Sequence, residues 1–261
     1  MKNNFNLLTH DLEQLLKLMK LDMFLEHYQP LAERYEKEKR SYIEFLHELS
    51  LRENEYRSQK RIQKLINNAK LPRNKLLTDF DVSRVAGLAM SQLQQLAEGQ
   101  FIDSYGNVLI FGNPGTGKTH LSIALAREWS LLGRRVRLFT AANLVQALLV
   151  AKTQLKLEQY IKQLDRFEVL IIDDISYVPF GREETNVLFT LLSARYEMRS
   201  LVITSNLPFS KWNQIFKDEM TTHAAVDRLV HHATILELNA PSYRAECAKS
   251  KRDRTSKKIK K

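Results

Sequence analysis

Gly112-Asn113-Pro114-Gly115-Thr116-Gly117-Lys118-Thr119 is the stretch from which the rest of the chain can be read. It matches the spacing G-x-x-x-x-G-K-[ST], and each residue type has a physical task. The glycines let the backbone curl until consecutive N–H groups face inward, where phosphate oxygens can accept from them. Lys118 sets a cation against the outer phosphates, and the Thr119 hydroxyl can ligate magnesium. The helical stretch Leu-Ser-Ile-Ala-Leu-Ala-Arg-Glu-Trp-Ser that follows aims its positive end at the same point. A glycine-rich turn with an exposed lysine would explain the composition. It would not explain the apolar strand directly before or the amphipathic helix directly after.

Working outward, five apolar runs recur: 107–111 (NVLIF), 135–139 (RVRLF), 169–173 (VLIID), 201–205 (LVITS) and 234–238 (TILEL). They are rich in Val, Ile and Leu with little alternation, as expected of strands buried on both faces of a parallel sheet. Helical stretches lie between them. The expectation is an α/β domain over residues 73–245 with a five-stranded parallel sheet and its ligands at the carboxyl ends of the strands.

Two further strand ends carry chemistry. Four apolar residues lead into Asp173-Asp174, so both carboxylates would stand beside the phosphate loop. Asp173 would hold magnesium, partly through water, and Asp174 would orient or deprotonate an attacking water. Helix capping or a solvated turn would explain such a pair elsewhere. Asn206 follows the next strand and could reach the γ-phosphate or the water, although asparagine also suits a plain turn before Leu207-Pro208. No Asn-Lys-x-Asp guanine-reading motif follows the loop, so ATP is favoured over GTP.

Residues 1–72 contain Pro30 and no glycine, and their apolar residues recur at helical spacing: Leu8, Leu12, Leu15, Leu16, Met19, then Tyr42, Phe45, Leu46 and Leu49. This describes a small all-helical unit. Residues 71–83 lose the pattern and read as a linker. The net charge is +10, of which +7 lies between Lys249 and Lys261, so 246–261 form a basic tail suited to polyanions. Arg52 to Lys75 carries eight Lys/Arg against two acids. Within it Arg57, Lys60, Arg61 and Lys64 share one helix face, spaced to meet DNA phosphates, while Ile62, Leu65, Ile66 and Ala69 lie opposite and would pack on the N-terminal domain. A merely solvated basic face is the commoner outcome of such a pattern. No zinc-finger spacing or RNA-binding aromatic motif appears, so DNA contacts would be largely sequence-neutral. Cys247 is the sole cysteine, no signal peptide precedes the first helix, and no eighteen-residue apolar run exists. A cytoplasmic protein that does not span a membrane is expected. The adjacent His231 and His232 show no metal-ligand spacing.

Gly112 to His120, the run into Asp173-Asp174, Thr204-Ser205-Asn206 and Ala224-Ala225-Val226-Asp227-Arg228-Leu229, in this order and spacing, resemble an AAA+ ATPase of the DnaA and DnaC branch. The stretches 195–212 (RYEMRSLVITSNLPFSKW) and 240–244 (APSYR) resemble the IstB helper ATPases of bacterial insertion sequences. The resemblance covers roughly residues 80–245. It implies that the motif from Gly112 to His120 binds ATP with magnesium on Thr119 and Asp173, and that Asn206 is the polar sensor. It further implies that Arg228 is the arginine inserted into a neighbour's ATP site and that Arg244 is a second, cis-acting sensor. The stretch after Asn239 is too short for a full helical lid, which weakens any lid-borne role for Arg244. The implied function is a transposition helper that oligomerises on double-stranded DNA with ATP and serves an integrase-type transposase. The rivals are a helicase loader of the DnaC or DnaI kind, an initiator of the DnaA kind, for which a C-terminal helix-turn-helix is lacking, and a small-molecule kinase.

Overall fold

The computed structural model describes residues 2–176, 180–216 and 219–246, so 247–261 of the basic tail lie outside the described residues. The chain divides into two compact units, Met1–Lys64 and Leu65–Lys261.

The first unit is helical. It contains α1 (Lys2–Leu18), α2 (Asp22–Lys37) and most of α3 (Tyr42–Ala69). Leu31, Tyr35 and Leu49 are its buried centre, with Phe24, Tyr28 and Phe45 packed around them. The buried Tyr35 ring meets Phe45 edge-on at 6.0 Å, and its hydroxyl donates to Glu48 at 2.6 Å. In α1 the helical spacing is right but burial is not. Leu16 is buried, whereas Leu8, Leu12, Leu15 and Met19 remain exposed.

The second unit holds α4 (Met90–Glu98), α5 (Gln100–Asp103), β1 (Asn107–Phe111), α6 (Lys118–Leu131), β2 (Val136–Thr140), α7 (Ala141–Thr153) and α8 (Leu157–Leu164). It continues with β3 (Val169–Asp173), α9 (Arg182–Arg195), β4 (Ser200–Ser205), α10 (Glu219–Val230) and β5 (Ala233–Glu237). The strands form one parallel sheet in the order β2-β3-β4-β1-β5. Three of the five apolar runs match their strands within one residue at either end, and the second and fifth are displaced by one.

Successive strand residues face opposite layers. Val108 and Ile110 join Leu121, Leu125 and Trp129 of α6 on one side. Leu109 and Phe111 join α7, α9 and α10 on the other. Both faces being covered explains the unbroken apolar runs of the three central strands. The edge strands β2 and β5 are only partly buried. Each fully buried Leu or Ile contributes roughly 1.5–3 kcal/mol of transfer free energy.

Two boundaries differ from the sequence reading. The units divide between Lys64 and Leu65, inside α3, because Ala69 is fully buried in the second unit's core beside Val85 and Leu93. Ala69, the far end of the apolar stripe on α3, therefore belongs to the core of the second unit. Residues 71–83 are also more than a linker. They contain 3-10 turns at Leu77–Asp79 and Val82–Arg84, and Leu71, Leu77, Phe80 and Val82 pack against that same core.

Arg195 at the end of α9 is fully buried. Its guanidinium donates to the carbonyls of Leu164, Phe167, Glu168 and Ser200 at 3.0–3.3 Å and to Asp165 at 3.4 Å. It thereby ties the turn before β3 to the start of β4. Burial pushes its pKa down to about 10, still a cation at neutral pH. Arg195→Ala is expected to cost on the order of 3–5 kcal/mol, because it leaves several buried acceptors unpaired. A urea titration of the two proteins checks this, and an unchanged midpoint would contradict the role.

Candidate nucleotide-binding site

β1 delivers the chain to Gly112 at the carboxyl edge of the sheet, and α6 begins again at Lys118. The loop between them can only turn this tightly with glycine. At Gly112, with φ +151°, a β-carbon would stand 2.6 Å from the Leu238 carbonyl. At Gly115, with φ +86°, a β-carbon would collide with the Ser242 hydroxyl. Pro114 to His120 line a cleft of about 540 Å³, together with Asp174, Asn206 and segments 74–85 and 240–244.

The Lys118 side chain folds back over the loop. Its ammonium donates to the carbonyls of Gly112 at 2.7 Å and Asn113 at 3.0 Å, and to the side-chain oxygen of Asn206. Burial pulls the Lys118 pKa down, and the charges of Asp174 and Asp173 oppose that shift. The amine is thus held at the tip of β4, in contact with the predicted sensor Asn206.

Thr119 opens the first turn of α6 and points at β3. Its hydroxyl is 3.0 Å from both carboxylate oxygens of Asp173. Asp173 is buried at the end of β3, and burial raises its pKa above the usual carboxylate value. The Thr204 hydroxyl opposes that rise by donating to Asp173 at 2.7 Å, while it accepts the Asp174 N–H at 2.8 Å. Asp174 adopts a left-handed conformation, φ +59°, which aspartate tolerates better than most residues. That turn takes the second carboxylate into the cleft while the first stays beside Thr119.

A hydroxyl next to a partly desolvated carboxylate is the oxygen-donor pair that magnesium prefers. The residues fit that ion: Thr119 and Asp173 would hold it. His120 lines the same cleft. One of its ring nitrogens is 2.9 Å from the Leu76 carbonyl, and its ring is 5.8 Å from that of Phe80.

Arg244 lies in the cleft as well, on a short helical turn at 243–246. The Tyr243 N–H donates to the Gly115 carbonyl at 3.0 Å, so the turn is fastened to the phosphate loop itself. Arg244 needs no lid domain to reach the site. Arg228 is different, because it is not among the residues around this cleft. Its guanidinium covers the Phe189 ring at 5.1 Å and donates to the Ala224 carbonyl at 3.0 Å.

The wall formed by Phe80, Asp81 and Arg84 was not foreseen, since these residues fall in the presumed linker. The Phe80 ring would stand 3.0 Å from a β-carbon on Gly117. Arg84 stacks on Tyr243 at 4.8 Å and pairs with Glu246 at 2.5 Å, closing the cleft on that side. Thr204 was equally missed as a positioning residue. Its only signal is a polar residue at the tip of a buried strand.

The four basic residues of α3 lie in the first unit. Arg57 pairs with the buried Glu53 at 2.6 Å and also donates to the Lys20 carbonyl. Glu53 in turn accepts the Met23 N–H at the start of α2. Lys60 pairs with Asp22 at 3.1 Å. These two cations therefore fasten the α1–α2 turn to α3. Arg61 and Lys64 are exposed and have no carboxylate partner among the described residues.

A family model described as IstB-like ATP binding protein matches residues 14–252. An insertion-sequence ATP-binding protein of Sinorhizobium fredii is 43% identical over 83% of this chain and 73% of its own length. An insertion-sequence ATP-binding protein of Pseudomonas aeruginosa is 37% identical over 90% of this chain and 89% of its own. Among solved structures, a DnaC helicase loader superposes with a TM-score of 0.55 at 18% identity, covering 64% of this chain and 98% of that one. AMPPCP-bound DnaA from Aquifex aeolicus gives 0.54 at 20% identity, covering 65% and 51%. The structural likenesses establish the fold of the sheet-bearing unit and nothing finer.

Proposed function

The chain belongs to the IstB-like ATP-binding family, and from that premise we propose that it is an ATP-hydrolysing helper of DNA transposition that assembles on double-stranded DNA and serves an integrase-type transposase. The observation that carries the reading is the convergence of Lys118, Thr119, Asp174 and Asn206 on one cleft, with Asp173 held directly behind Thr119, in a chain whose relatives are insertion-sequence ATP-binding proteins.

The loop N–H groups and Lys118 hold the triphosphate tail. Magnesium on Thr119 and Asp173 would neutralise charge on the outer phosphate oxygens. Asp174 accepts a proton from the water that attacks the γ-phosphorus, and the bond to the β-phosphate oxygen breaks. Asn206 connects Lys118 to the tip of β4, so the presence of the γ-phosphate is reported to the neighbouring strand. Arg244 adds a cation from the same chain, and Arg228 adds one from a neighbouring subunit.

Sedimentation of the purified protein tests the assembly. ATP and double-stranded DNA together are expected to give a species larger than the nucleotide-free protein, and an unchanged species overturns the model. Capture by the cognate transposase supports the helper reading, whereas capture by a replicative helicase instead supports the loader.

DNA binding should depend unequally on the four residues of α3. Arg61→Ala with Lys64→Ala is expected to weaken binding and lower the slope of log K against log salt by about 2, as each lost phosphate contact removes roughly one unit. Arg57→Ala with Lys60→Ala should lower it less, because those cations are already paired with Glu53 and Asp22. Fluorescence anisotropy across a salt series measures both. Equal slopes in parent and Arg61/Lys64 variant would remove this face from the DNA surface.

A further inference from the structure

Outside the nucleotide cleft, three donor side chains converge at the opposite edge of the sheet. His231 and His232 lie between α10 and β5, and Glu197 lies in the turn between α9 and β4. Consecutive residues commonly point their side chains apart, yet here the two imidazole rings are 4.1 Å apart, tilted by 41°. Both present a nitrogen to the same carboxylate oxygen of Glu197, at 3.9 Å from His231 Nδ1 and 3.7 Å from His232 Nε2. The three donor atoms all lie within 4.8 Å of one another.

The backbone holds these residues in place. Glu197 sits in a left-handed conformation, φ +55°, which is uncommon for residues other than glycine, asparagine, aspartate and histidine. The His232 carbonyl accepts the N–H of Asn107 at the start of β1. The Tyr196 hydroxyl is 2.8 Å from His231 Nδ1, which places a further oxygen at the cluster.

Two imidazole nitrogens and a carboxylate oxygen suit zinc and its first-row neighbours, whereas magnesium and calcium select oxygen donors. With bonds of about 2.0–2.1 Å, a tetrahedral ion separates its ligand atoms by about 3.4 Å. The observed spacings need to contract only by a fraction of an ångström for the two Glu197 contacts; all three residues are exposed, and His231 Nδ1 would give up its Tyr196 hydroxyl contact to the ion. We propose that Glu197, His231 and His232 form a binding site for a divalent transition-metal ion of the zinc class, with water or the Tyr196 oxygen in the fourth position. An ion there bridges the end of α10 to the turn before β4. It therefore stiffens the helix end that carries Arg228, one turn from His231.

Calorimetric titration of zinc chloride into the untagged full-length chain, without nucleotide, tests the site. One saturable equivalent is expected at micromolar protein. Cobalt(II) in the same position should give the visible absorption bands of a four-coordinate nitrogen and oxygen environment. The His231→Ala/His232→Ala variant should lose that equivalent, and Glu197→Gln should weaken it, with circular dichroism unchanged in both. Asp173→Asn, which removes the carboxylate of the nucleotide site, should retain it. The proposal is overturned if the parent takes up no saturable zinc, if the double-histidine variant takes it up as the parent does, or if Asp173→Asn abolishes it.

Discussion

Asp173→Asn protein is expected to turn over ATP about 10²–10³-fold more slowly than the parent while being the more stable of the two at neutral pH. Both effects come from one placement. The carboxylate is buried between Thr119 and Thr204, and burial raises its pKa above the usual value. The folded protein therefore binds this proton more tightly than the unfolded chain does. Stability then falls as pH rises through the interval between the unfolded and folded values, and above it the parent carries the full cost of a desolvated charge. An asparagine keeps an oxygen for the Thr204 hydroxyl and an amide donor for Thr119, but no charge to bury. The stability gap should be widest at neutral pH and should close as the pH falls through the folded pKa of Asp173. Thermal melts at several pH values, with a phosphate-release assay, check both halves. A variant less stable than the parent at neutral pH would mean that the two threonine hydrogen bonds outweigh burial.

That residue also shows what could and could not be read from the chain. The phosphate loop and the acid pair were legible because their chemistry demands particular residue types at fixed spacing along one segment. The central strands were legible because a sheet covered on both faces leaves little room for polar residues. Thr204 was not, since its hydroxyl matters only after β4 is laid beside β3, which no local pattern specifies. Phe80 and Arg84 were lost to a linker reading for a related reason: a segment made of short 3-10 turns has no long period to detect. The stripe on α3 shows the reverse case. Its spacing was plain, but Asp22 reaches Lys60 from another helix, so half the basic face turned out to be paired. The periodicity of α1 specified a helix and left open whether anything would cover Leu8 and Leu12, and both are exposed.

Arg228→Ala is expected to bind ATP like the parent and to lose about 10³–10⁵-fold in DNA-stimulated turnover, the range in which a trans-acting arginine stabilises charge on the transferring phosphoryl group. The geometry separates this residue from every other candidate. Lys118, Asp174, Asn206 and Arg244 surround the cleft of their own chain, whereas Arg228 lies over Phe189 and bonds to its own helix. If it acts on a phosphate, that phosphate belongs to a neighbour. A mixing experiment follows from this asymmetry. Arg228→Ala subunits keep an intact phosphate loop but offer no finger, and Asp173→Asn subunits keep the finger but lack the acid. Neither protein alone should turn over ATP appreciably. A mixture creates junctions where an Asp173→Asn subunit presents Arg228 to the intact loop of an Arg228→Ala subunit, so part of the activity should return. Recovery should rise with protein and DNA concentration, because the junction forms only in the assembly. A mixture as inactive as its components would leave Arg228 with only its packing on Phe189, and the active site would then have to be complete within one chain.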